Sequence, residues 1–154
     1  MKKVIAILLS FTLILSFTAC GEKSKYTEDE AMDNIKYVEE KVEFLIDQME
    51  FLEKNAGGKA VNGSVKIADS LVNNVEKAFN EINEMEFVKD CLPLTTKRLP
   101  EIEEAIGDVV TAIGILNRTN DGGNGLLVRQ AATEAKEILE KIYDAEIYTF
   151  VYEG

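Results

Sequence analysis

Histidine and tryptophan are absent from this chain of 154 residues, and cysteine and proline occur only twice each. Without histidine there is no imidazole base, no haem axial histidine and none of the zinc or di-iron sites that lean on that side chain. Positive charge is also scarce, since 17 Lys and Arg face 28 Asp and Glu for a formal net charge of −11. That sign disfavours nucleic acid and bare anionic lipid as partners, and its ordinary meaning is solubility. Carboxylate pairs such as Glu39-Glu40 and Glu103-Glu104 are plentiful. General acid–base work needs such groups held in a cleft, and their spacing puts them on solvated helix faces. The expectation is a chain that is not an enzyme and holds no cofactor and no metal.

Long apolar runs are confined to the N-terminus. Lys2 and Lys3 lead into Val4–Phe17, followed by Thr18-Ala19-Cys20. A positive start, an apolar stretch and small residues before a cut site mark a secretory signal peptide. The stretch falls short of the roughly 20 apolar residues a membrane-spanning helix needs. Ordinary signal peptidase prefers a small residue at −3, where a cut after Ala19 would place Phe17. The segment Phe17-Thr18-Ala19-Cys20 instead resembles the lipobox of bacterial lipoproteins, a likeness that covers residues 1–20 alone. It implies cleavage of residues 1–19, acylation of Cys20 and anchoring at the extracytoplasmic face of the cell membrane. A retained membrane anchor and a soluble secreted protein are the alternatives. Two or more acyl chains hold a protein stably where one is marginal.

Cleavage would remove two lysines and no acids, leaving 135 residues at a formal charge of −13. That length suits one domain with a single core. With Cys20 acylated, Cys91 would be the one thiol left, and no disulfide could form within the chain. Residues 20–26 are polar and read as a tether.

The remainder, 27–154, has helical period throughout. Thr27 and Glu30 have capping-box spacing. Ile35, Val38, Val42, Leu45, Met49 and Leu52 then step by three and four, as a heptad seam does. Phe44, Ile46 and Phe51 widen that face beyond a two-stranded seam. Helices are expected over about 27–55, 64–90, 100–117 and 126–147. Ser64 would cap the second, Pro100 would open the third, and 91–99 would be irregular. Ala131, Ala135, Ile138, Ile142 and Ala145 are expected to face inward on the fourth, with Val128. Short connections between such helices predict an all-α, up-down-up-down four-helix bundle. The aromatic tail from Ile147 to Tyr152 is expected to fold back over the base.

Two Gly/Asn-rich loops interrupt the pattern. Gly58-Lys59 lacks the upstream glycine of a phosphate loop, because Glu53 stands there, and no Ser or Thr follows Lys59. A calcium loop opened at Asn117 would need Glu at its twelfth position, where Val128 stands. Both are therefore read as connections. They would share the end of the bundle far from the tether, which makes Gly58, Lys59, Asn62, Asn120, Asp121 and Asn124 the candidate contact residues for an envelope protein partner. The second reading is a small-ligand groove between the third and fourth helices, where Gly107 and Gly114 could meet Ala131, Ala132 and Ala135 in close approach.

Overall fold

Thr27 opens the folded part of the chain. Its hydroxyl accepts a hydrogen bond from the Glu30 N–H at 3.3 Å, and the Glu30 carboxylate accepts one from the Thr27 N–H at 2.8 Å. The computed structural model describes residues 25–58 and 66–153, so the signal segment, Cys20 and residues 59–65 lie outside the described residues. Helix α1 spans Glu28–Asn55, and its six heptad-seam residues from Ile35 to Leu52 are completely buried. Phe44 and Ile46 pack partly buried against the core as expected, whereas Phe51 is exposed.

Helix α2 spans Asp69–Glu84, starting later than Ser64, a residue outside the described ones. The Asn117 side chain sets this start by binding Ile67 twice. Its carbonyl oxygen accepts from the Ile67 N–H and its amide donates to the Ile67 carbonyl, both at 2.8 Å. The expected helix to residue 90 is broken at Met85, and a short α3 follows at Glu86–Cys91. An unbroken helix would carry the seam from Ile82 onto Glu86 and Lys89. The break rephases the chain so that Phe87, Val88, Cys91 and Leu92 are buried instead. Cys91 is in a disulfide rather than the thiol expected from acylation of Cys20.

Residues 93–99 are helical, contrary to expectation. Helix α4 runs Pro93–Thr119 straight through Pro100. An interior proline costs about 3 kcal/mol, and the first turn of α4 has no cap from its own flank. The missing cap comes from the far end of the chain. The Glu146 carboxylate accepts from the Leu94 N–H at 2.9 Å, the Thr95 N–H at 2.7 Å and the Thr95 hydroxyl at 2.6 Å. Negative charge at a helix N-terminus is favourable twice over, for the unpaired N–H groups and for the dipole.

Helix α5 spans Gly125–Ile142 after a single 3₁₀ turn at Gly122–Asn124. Its seam is Val128, Ala132, Ala135, Leu139 and Ile142. Ala131 and Ile138 are only half-buried and Ala145 is exposed, so the inward face is rotated from the expected one. The tail does not fold back. It continues α5 in wide π turns at Tyr143–Ile147 and Thr149–Glu153. A π turn carries an extra residue, which matches the five-residue step from buried Ile142 to buried Ile147 and aims Glu146 at α4.

The described residues are all-α, with five α-helices and no strand. Among the long helices, α1 packs on α2 and α5, and α4 packs on the same two. The tightest seams are α4–α5 and α1–α5. One end gathers Lys25, Tyr26, α3, the start of α4 and the tail. There Phe87 takes the Tyr26 ring edge-on at 5.3 Å and the Phe150 ring at 6.2 Å. The other end, the tip, gathers the close of α1, Ile67 and the 120–125 turn.

Candidate functional site

The tip is built on a backbone crossing. Gly57 ends α1 with φ +74°, in the left-handed region that favours glycine, and lies against Gly125 at the start of α5. A β-carbon on Gly125 would fall 2.2 Å from the Gly57 Cα, and one on Gly57 would fall 2.6 Å from the Gly122 carbonyl oxygen. Neither position has room for a side chain.

The connection from α4 is held by its own polar groups. Asn120 is left-handed at φ 50° and closes α4 by donating its N–H to the Leu116 carbonyl at 2.8 Å. Asp121 accepts from the Gly123 N–H at 2.9 Å, and the Asn124 amide donates to the Thr119 hydroxyl at 2.9 Å. The structure thus brings Asn120, Asp121 and Asn124 together beside the Gly57–Gly58 turn. Lys59 and Asn62 lie outside the described residues. Asp121 and Asn124 shape the turn with their side chains and Asn120 with its backbone, which leaves less of the first two to offer a partner.

What the tip does present is a set that sequence reasoning passed over. Leu126 and Leu127 are 51% and 44% exposed. Arg118, on the last turn of α4, is exposed, and Arg129 on α5 is half-buried. The signal was available: with Val128 and Ala132 facing inward, two leucines just before them lie off the apolar stripe.

Gly107 and Gly114 do not mediate the close approach expected of them. No neighbouring heavy atom comes within 4 Å of a β-carbon built on either. Ala132 and Ala135 are buried in the α4–α5 seam without them. The opening beside Gly107 lies between α2 and α4, not between the third and fourth expected helices. It measures about 370 Å³, with Phe79, Ile106 and Val110 at its floor and Glu76, Asn80 and Glu103 on its walls. Interior helical glycine is less stable than alanine by roughly 0.5–1 kcal/mol. With nothing in the way, Gly107→Ala plus Gly114→Ala should stabilise the protein by about 1–2 kcal/mol. A thermal melt should show the midpoint rise by about 3–8 °C, and a fall would mean that both β-carbons meet a neighbour.

Of the paired carboxylates, Glu40, Glu103 and Glu104 are exposed, but Glu39 is buried. It follows the Ile35–Val38 seam and faces the α5 continuation, where the Tyr143 hydroxyl donates to Glu43 at 2.9 Å and to Glu39 at 3.2 Å. Burial, reinforced by these two carboxylates, holds the Tyr143 phenol well above its ordinary pKa. This contact joins α1 to the end of α5, and a phenol kept protonated serves that purpose as a fixed donor.

No described helix is long and apolar enough to cross a membrane. Among the described residues no three Cys, Asp or Glu side chains are grouped to hold a metal ion. No family model, no curated protein and no solved structure matches this chain.

Proposed function

We propose that this chain is a lipid-anchored, extracytoplasmic interaction module. Cleavage after Ala19 and acylation of Cys20 would hold it on the cell membrane. Residues 27–154 would work as an up-down-up-down four-helix bundle that offers its tip to an envelope protein. The observation that carries the reading is the separation of the two ends. Lys25 is paired with Glu86 and Tyr26 meets Phe87 edge-on, so the chain leaves the folded part at the end opposite the Gly57–Gly125 crossing. Five residues join Cys20 to Lys25, a reach of about 17 Å when fully extended. An anchored molecule would keep the Lys25 end near the lipid and its tip outward. The reading gives the module no catalytic role, no cofactor and no nucleic-acid partner.

Acylation consumes the Cys20 sulfur as a thioether. In a chain with two cysteines, that is incompatible with an internal disulfide, so the disulfide at Cys91 belongs to a chain that has not been acylated, and acylation would leave Cys91 a thiol whose state reports on the fate of Cys20. The mature protein from cells making the full chain should begin at residue 20 and carry an acylated N-terminal peptide by mass spectrometry. Denatured without reductant, it should react with one equivalent of a maleimide. Cys20→Ser should abolish the acyl mass. An unacylated chain with no reactive thiol would sink the proposal.

A small-ligand reading stands second, favoured by the opening between α2 and α4 beside Gly107. Its walls carry Glu76 and Glu103, so any such ligand would be neutral or cationic.

A further inference from the structure

The tip differs from the rest of the described residues in its charge balance. At the tip, residues 54–58, 66–70 and 117–130 hold Lys54, Lys66, Arg118 and Arg129 against Asp69 and Asp121. The other described residues hold nine cations and 25 acids. The fold therefore gathers, from stretches far apart in sequence, a cluster of cations on a strongly acidic chain, bordered on α1 by Glu50 and Glu53. Helix dipoles account for part of it, since Lys54 and Arg118 sit in the last turns of α1 and α4, where cations are favoured. Lys54 is in addition paired with Glu50. Arg129 has no such reason, because it lies near the N-terminal, positive end of α5, whose first turn contains no acid.

Two of the chain's three arginines are thus at the tip. Neither Arg118 nor Arg129 is in an ion pair with another of the described residues. The third, Arg98, is paired with Glu101 at 3.2 Å. Close to Arg129 in sequence, Leu126 and Leu127 are the exposed leucines among the described residues. A planar guanidinium binds carboxylates in bidentate fashion. Protein interfaces combine such arginines with apolar anchors inside a polar rim.

We infer that the tip is a docking surface for an acidic protein segment, with Leu126 and Leu127 as its apolar anchors and Arg118 and Arg129 as its carboxylate receptors. This rests on the reading of the chain as an interaction module and names the chemistry of the partner. The partner is a protein rather than lipid because the tip lies opposite the end from which the tether leaves. Nucleic acid is excluded by the acidic flanks, which would repel a polyanion wider than the tip. Opposite charge across the interface would also speed encounter and make it salt-sensitive.

The test places a photo-crosslinking benzoylphenylalanine at position 127, and separately at Glu137 on the exposed flank of α5, in the full chain expressed in its host. A discrete protein adduct is expected from position 127 and not from 137, and the cross-linked partner peptide should be net acidic. Arg118→Glu with Arg129→Glu should lower adduct yield by about tenfold. Arg118→Gln with Arg129→Gln should lower it by a smaller factor, with an unchanged thermal midpoint showing that the fold survives. The inference is overturned by equal adducts at both positions, by no protein adduct at 127, by yield indifferent to both arginine pairs, by a neutral or basic partner peptide, or by an adduct with a second copy of this chain. Fractionation of the same cells keeps the readings apart: an arginine-dependent adduct on a chain outside the membrane fraction would defeat the anchoring proposal and leave the docking surface standing.

Discussion

Gly125→Ala should cost the protein about 3 kcal/mol or more, the upper range for overpacking a tight site. The added methyl group would meet three consecutive main-chain atoms, the Gly57 Cα at 2.2 Å, the Gly57 nitrogen at 2.5 Å and the Ala56 carbonyl carbon at 2.9 Å. A flexible side chain could swing away from such a contact, but a backbone cannot. Relief requires α1 and α5 to separate at the tip, and Leu52, Ala56 and Val128 are buried beneath that crossing. Gly57→Ala should be comparably harmful for a different mixture of reasons. Its left-handed φ costs a side-chain-bearing residue about 1 kcal/mol, and its β-carbon would strike the Gly122 carbonyl and the Gly125 Cα. Because each glycine makes room for the other, the double variant should cost less than the two single ones added together. Urea titration with a constant m-value measures all three. A loss below about 1 kcal/mol for Gly125→Ala would mean that the two ends are not in contact.

Glu146→Ala should be the most damaging substitution of a charged residue, at about 3 kcal/mol. It strands two backbone N–H groups and the hydroxyl of Thr95, a residue with no exposed surface. Donors bonded to a charged acceptor contribute more than those in neutral pairs, and a buried donor left without a partner bears its full desolvation cost. Glu146→Gln keeps one acceptor oxygen and loses the charge at the helix terminus, so about half the penalty should remain. Amide hydrogen exchange locates the effect: Leu94 and Thr95 should lose protection in both variants, while amides in the middle of α1 follow only the global change. Unaltered exchange at those two positions would rule out the capping role.

The opening of α1 was fully legible because its information is local. Thr27 and Glu30 are three residues apart, and the heptad seam that follows needs nothing beyond its own spacing. The start of α4 was not, although Leu92, Thr95, Leu99 and Ile102 continue the seam backwards by steps of three and four. Two prolines and a polar residue inside that seam read as a loop, and the group that overrides them, Glu146, is about fifty residues away in the chain. The break at Met85 and the π turns after Ile142 are both phase corrections. Each shows in the sequence as a seam running onto the wrong residues, Glu86 in one case and Glu146 in the other. Gly107 and Gly114 have the spacing of a close helix contact, but spacing does not say which neighbour a helix face meets, and this face meets open space. At the tip, composition marked the end of α1 at Gly57–Gly58 and the connection before α5. The Gly57–Gly125 crossing needed a pairing that neither loop encodes alone.

The clip between Glu146 and the start of α4 also orders events in time. Residues 93–100 are made about fifty residues before the carboxylate that stabilises their helical state. A growing chain shorter than 146 residues carries that stretch with its amides unbound and an interior proline working against it. Completion of the fold is thereby postponed until Glu146 has been made.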